Sequence, residues 1–177
     1  MNIRSIAFIA SLLPTLALTI EAGPSVCSSC MYVSSGQTPL LKEQIDNVFE
    51  ATNKVRADKR RTILQRDPKL MTAAQQYAEL MAAQEEMSHT IGGLSLPDKA
   101  QRVGYAYSRL SENIALNTDL DGRFVVYEQW MKSKGHRQNL LATDVSQIGV
   151  GIAGPGKRTK RYYYCQIFGA PLSGKAQ

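Results

Sequence analysis

Cysteine is scarce. Cys27, Cys30 and Cys165 are the only three in 177 residues, too few for a disulfide-stapled scaffold, and a chain of this length buries enough surface to need none. Aromatic residues make up 7 % of the sequence, which leaves no broad stacking platform for nucleic acid. No apolar run reaches the roughly 20 residues that cross a bilayer. No internal repeat or low-complexity tract is present, and the composition excludes a disordered chain, a collagen and a long coiled coil. No serine is flanked as in a nucleophile elbow, and no cysteine has a histidine beside it in the sequence. Charge of one sign is only mildly in excess. Lys and Arg number 21 against 15 Asp and Glu, a net +6, which suits anionic surfaces without requiring nucleic acid.

What is present is ordinary globular usage, 44 % hydrophobic and 20 % charged, at a length that favours one domain. Residues 1–22 stand apart. Arg4 provides a positive start, and Ile6 to Ile20 is apolar apart from Ser11, Pro14, Thr15 and Thr19. Small residues follow at Ala22 and Gly23. This is the layout of a secretory signal peptide cut after Ala22; a retained anchor is the alternative. Cutting there removes Arg4 and Glu21, so the net charge stays at +6 and no transmembrane span remains in the mature chain. Lipidation at Cys27 is disfavoured, because Val26 rather than a small residue precedes it.

Residues 23–39 are rich in Gly, Ser and Pro and read as a flexible linker. They contain Cys27-Ser-Ser-Cys30. A redox CxxC would open a helix after a strand, and a zinc site would need a second ligand pair. A disulfide in an oxidising compartment is the simpler expectation, joining Cys27 to Cys30 or one of them to Cys165.

From residue 40 the pattern becomes regular. Leu41, Ile45, Val48, Thr52 and Val55 fall at helical spacing over 40–57. A basic stretch follows to Arg66. Asp67-Pro68 then caps and opens a second helix, expected to run to about Met87 with Leu70, Ala74, Tyr77 and Met81 inside. A short helix is expected from Pro97-Asp98 to near Gly104, and a strand over Ser111 to Leu116. A further helix starts at Asp121-Gly122, with Val125, Val126, Gln129, Trp130 and Ser133 facing in and Gly135 ending it. Residues 146–153 and 161–170 alternate like strands around a Gly154-Pro155-Gly156 turn. Gly149 and Gly151 are expected to let another backbone approach the sheet. The whole reads as α+β, with helices on both faces of a small antiparallel sheet.

The chain has two histidines. His89 follows the second helix, and His136 follows the helix that carries Trp130. Between them lies Glu112. Two neutral imidazoles and a carboxylate are a chemically sensible zinc set, but they are too distant in sequence to share a helix face. Spacing alone leaves two unrelated surface histidines as the other reading.

The order of short motifs says more. It runs Ser88-His89, Arg102-Val103-Gly104-Tyr105, Ser111-Glu112-Asn113-Ile114-Ala115, then Trp130 through Leu141, then Ile148-Gly149-Val150-Gly151 and Tyr164 to Gly169. Asn53 and Arg56 add an N-x-x-R. Over roughly residues 40–170 this resembles the CAP superfamily, or SCP-like domain, in its compact bacterial form. The resemblance implies a three-layer α-β-α sandwich over 40–172, with a tail at 173–177. It also implies a central cleft lined by His89, Glu112, His136 and Ser133, where Zn or another divalent cation can bind through His89 and His136. In the family a second acid follows the helix tryptophan by three residues. Here that position is Ser133, and Glu128 lies about 140° away around a helix, too far round to replace it.

The function that follows is a secreted, non-enzymatic binding module acting outside the cytoplasm as a monomer. Its ligand is unidentified, with a lipid or an envelope component as the class the resemblance implies, and nucleic acid is not expected. One alternative is a cleft-based, protease-like hydrolase using His89, Glu112 and His136. The other is a structural protein of the cell envelope, held to anionic polymers by its basic surface.

Overall fold

The computed structural model describes residues 38–172, which fall within one compact unit, 36–177. The expected signal segment, most of the linker with Cys27 and Cys30, and the C-terminal tail lie outside the described residues.

Helix α1 (Pro39–Asp58) starts where local chemistry allows. Thr38 accepts a hydrogen bond from Leu41 N at 3.3 Å, and proline fills the first helical position. The cap therefore lies inside the stretch read as linker. The stripe from Leu41 to Val55 is buried, as its spacing demands. In α2 (Pro68–Gln84) Asp67 accepts from Lys69 N and Leu70 N, both at 2.9 Å. This helix stops short of Met87 because Glu85 turns left-handed at φ 52°. Ser95 and Asp98 form a capping box on α3 (Leu96–Arg102).

Four strands make one sheet: β1 (Gln65–Arg66), β2 (Tyr107–Asn117), β3 (Gln147–Ala153) and β4 (Tyr162–Pro171). Their order across the sheet is β1-β3-β4-β2. Strand β2 pairs antiparallel with β4, which pairs antiparallel with β3. The sheet is not wholly antiparallel, however, since β1 runs parallel to β3. A two-residue strand inside a basic stretch has no periodicity to announce it. β2 also begins earlier than its apolar core suggests, at the half-exposed Tyr107.

The helix expected over 121–135 is two elements. Asp121 caps Gly122–Phe124, called α4, which widens into π-helical turns over Val125–Trp130. The chain then breaks at Ser133, the N-cap of α5 (Lys134–Leu140). Gly135 is therefore inside a helix rather than ending one, and His136 sits on the first turn of α5 rather than beyond a helix. The widened turns place Trp130 fully inside, where its Nε1 donates to Ile114 O at 3.1 Å.

One core joins α1, α4 and α5 to one face of the sheet through Val48, Val126, Trp130, Ile148 and Phe168. The other joins α2 and α3 to the opposite face through Tyr77, Met81, Ile114, Cys165 and Ile167. This is the expected α-β-α sandwich. Gly149 and Gly151 make the second interface possible. A Cβ on Gly149 would stand 2.1 Å from the Leu70 carbonyl, and one on Gly151 would stand 2.3 Å from Gln75 N.

Candidate functional site

Because β2 is an edge strand, its outer backbone groups need partners other than a strand. Side chains supply them. Asn139 on α5 donates to Glu112 O at 3.1 Å, next to the Trp130 bond to Ile114 O. Asn139 also donates to Asn113 Oδ1 at 2.9 Å, and Asn113 Nδ2 donates to His136 O at 3.2 Å and to Gln166 Oε1 at 3.3 Å. Gln166 Nε2 in turn reaches Thr52 Oγ1 at 2.8 Å. This buried chain of neutral groups fixes α5, and with it His136, against β2, β4 and α1. Asn139 thus braces the cleft, as its place in the motif suggests; Gln166 carried no sequence signal.

On the α2 face of β2, His89 and Glu112 do meet. His89 Nδ1 lies 2.7 Å from Glu112 Oε1. A carboxylate only accepts, so Nδ1 carries the proton. His89 is 54 % exposed and Glu112 is 3 % exposed. The second carboxylate oxygen is also taken, by Lys99 Nζ at 2.6 Å. Lys99 is itself buried, donates to His89 O at 3.0 Å and stands 3.0 Å over the Tyr77 ring. Burial pulls its ammonium below the ordinary lysine value, and Glu112 opposes that. Tyr77 donates to Ser88 O at 2.5 Å and accepts from Ile91 N at 3.2 Å, holding the loop that carries His89. Burial pushes its phenol up to about 12. Lys99 escapes sequence reasoning because a lysine on a short capped helix looks like a solvated one. Its only local sign is the position one turn after Ser95, which aims it back at the His89 loop.

Cys165 lies under the same carboxylate, 3.6 Å from Glu112 Oε2. Among the described residues it has no disulfide partner; it is fully buried, and burial raises its pKa well above the ordinary value. Such a thiol is not a nucleophile.

His136 and Ser133 lie on the other side of the β2 edge, where they line a cavity of about 250 Å³ with Trp130. Burial, reinforced by the charge of nearby His89, holds His136 below its ordinary value of 6.5. Glu112 is thus bonded to His89, while Ser133 and His136 line the cavity together, with His89 near enough for its charge to bear on His136. Among the described residues no group of three His, Cys, Asp or Glu side chains is disposed to hold a metal ion. Glu128, the other acid near Trp130, is exposed and pairs with Lys132.

Comparison with known proteins agrees with this fold. The model of the CAP, or cysteine-rich secretory protein, family matches residues 49–168. Two Bacillus subtilis proteins are 31 % identical: the uncharacterized membrane protein YlbC over 122 residues and the uncharacterized protein YkwD over 110. The alignments take in 68 % and 62 % of this chain but only 33 % and 42 % of those proteins. Among solved structures, an extracellular SCP-domain protein of Bacillus anthracis aligns at TM-score 0.66 and 27 % identity, over 77 % of this chain and 45 % of that one. An outer surface protein of Borrelia burgdorferi aligns at TM-score 0.67 and 20 % identity, over 74 % and 95 %, a likeness of fold alone. No helix among the described residues is long and apolar enough to cross a membrane. With the ordered motifs, the sandwich and a family match covering more than half the sequence, the chain belongs to the CAP family.

Proposed function

We propose that this chain is an exported, non-enzymatic binding module whose ligand sits in the cleft at the free edge of β2. The observation that carries the reading is the state of Glu112. Both of its oxygens are occupied, one by His89 and one by a buried ammonium. A general base must reach the proton it takes, and this carboxylate is 3 % exposed and already held by an imidazole and an ammonium. Cys165 is buried, and Ser133 is the N-cap of α5, its hydroxyl making no cap hydrogen bond. A catalytic zinc does not fit the donor set either. Catalytic zinc sites use three protein ligands, whereas here Lys99 holds the acid and only the two imidazoles of His89 and His136 remain. Export is supported by the layout of residues 1–22 and by kinship with extracellular proteins. An envelope component is the class of partner this implies.

The test uses the mature protein with isolated bacterial envelopes and with peptide and ester substrates. Saturable retention on envelopes is expected, and Ser133→Trp, which fills the cavity beside His136, should abolish it. No substrate should turn over. Turnover that disappears in both His89→Ala and His136→Ala would overturn the reading. Retention that survives Ser133→Trp but falls steeply with salt would assign binding to the basic surface instead.

A further inference from the structure

We infer that the turn joining β3 to β4 is a docking point for a linear polymer of phosphate groups. The site is independent of the cleft, since none of its residues lines the cavity beside His136. The turn carries four cations in five residues, Lys157, Arg158, Lys160 and Arg161, and all four are exposed. One acid answers them. Glu85, the left-handed residue that ends α2, accepts from Arg158 N at 2.5 Å and from Arg158 Nε at 3.3 Å. The backbone of Thr159 donates to it as well. Its side chain is 8 % exposed and that of Arg158 is 85 % exposed, so the acid lies inside the turn and the guanidinium outside. Among the described residues Lys157, Lys160 and Arg161 form no ion pair. The turn is also braced. Gly156 N donates to Arg161 O at 3.0 Å and Lys160 N donates to Gly156 O at 3.3 Å. A braced backbone presents the charges with less ordering left to do on binding.

The form of this charge selects the partner. An exposed cation gains little from a single counter-ion in water. A chain of successive anions meets several cations at once and releases its condensed counterions as it does so. Lysine binds phosphate as a point charge and arginine binds it bidentately, and the turn holds two of each. A membrane surface is a poorer match, because docking there needs apolar side chains beside the cations. The exposed large hydrophobics are Leu40, Ile63, Met87, Phe124 and Leu172, and none lies on the turn. Met87, close to Glu85 in sequence, faces the cavity beside His136. Nor does the turn offer a ring for bases to stack on, since Tyr162 packs against the first core.

The test measures binding of the chain begun at Gly23 to long-chain inorganic polyphosphate, from about 50 to 200 mM salt. Binding that weakens with salt is expected. Lys157→Gln/Lys160→Gln/Arg161→Gln should weaken it about tenfold, as three exposed contacts of a few-fold each. The same variant should reduce the salt slope by about 2, at roughly 0.7 for each phosphate contact. Lys59→Gln/Arg60→Gln/Arg61→Gln removes the same charge elsewhere and should cost no more than about threefold. Unchanged melting temperatures would show that both variants fold. Ser133→Trp should leave polyphosphate binding intact. Equal losses in the two triple variants would reduce the effect to net charge and overturn the inference. So would loss of binding in Ser133→Trp, equal affinity for polyglutamate, or tighter binding to phosphatidylglycerol vesicles than to polyphosphate. If polyphosphate does not bind while envelope retention persists, the inference fails and the cleft reading stands.

Discussion

Glu112 and Lys99 are an ion pair with almost no solvent contact, 3 % and 2 % exposed. Removing two ions from water costs several kcal/mol each, so such a pair persists only when its remaining hydrogen bonds are met. Here the 2.6 Å contact is joined by the His89 carbonyl and imidazole and by the face of Tyr77. Losing one partner is therefore the severe change. Lys99→Met should destabilise the protein by about 3–5 kcal/mol, and the double variant Lys99→Met/Glu112→Leu by much less. Urea unfolding of the three proteins checks this; equal losses in single and double variants would show that the charges are not coupled. His136 gives a pH signature of opposite origin. Its folded value lies below 6.5, so below that pH the unfolded chain binds more protons than the folded one. The stability due to the neutral ring is whole above 6.5 and is lost as pH falls through the folded value. Replacing the ring by His136→Gln should make the acid side of the stability curve shallower. An unchanged curve would show that the ring titrates alike in both states.

Between elements, backbone proximity matters more than side-chain volume. Helix α2 lies so close to β3 that no Cβ fits at Gly149 or Gly151. Gly149→Ala would have to push the Leu70 turn away, at a cost of about 1–3 kcal/mol or more for overpacking. Gly135 is a control on α5, since a Cβ there meets nothing within 4 Å. Gly135→Ala should stabilise by about 0.5–1 kcal/mol, the helix-interior penalty of glycine. Thermal unfolding separates the two, and a loss at position 135 would refute the view of Gly135 as an open helical position. The N-x-x-R of α1 works between elements as well. Asn53 bonds both backbone groups of Leu64, and buried Arg56 donates to the carbonyls of Thr62, Leu140 and Ala142. Arg56 thus ties the end of α5 to α1, and Asn53 ties the Leu64 segment to the same helix.

At the scale of the molecule, both cores of the described residues are drawn from residue 41 onward. A chain begun at Gly36 should therefore melt within a few degrees of one begun at Gly23, with Thr38 and Pro39 still in place to start α1. A chain begun at Leu40 loses the Thr38 cap and should be destabilised by about 1 kcal/mol. A large drop in the first truncation, matched by adding reductant to the chain begun at Gly23, would show that Cys27 or Cys30 ties the N-terminal segment to Cys165. The cleft is also a property of the whole. It exists because strand order places β2 at the sheet edge, with α2 and its following loop on one side and α4 and α5 on the other.

Local chemistry made much of this legible in advance. The caps at Asp67 and Asp121, the stripes of α1 and α2, the β3–β4 hairpin and the small residues of β3 are determined by neighbours a few positions away. The ordered motifs around His89, Glu112 and His136 added the sandwich. Tertiary structure alone decided the rest. β1 is too short to have a period, and the π-helical turns before Trp130 arise because a buried indole must reach the Ile114 carbonyl. Lys99 reads as a surface cation until α3 packs over β2. Its meeting with Glu112 depends on side chains brought together across the sheet edge, where desolvation sets which charges and hydrogen bonds can persist.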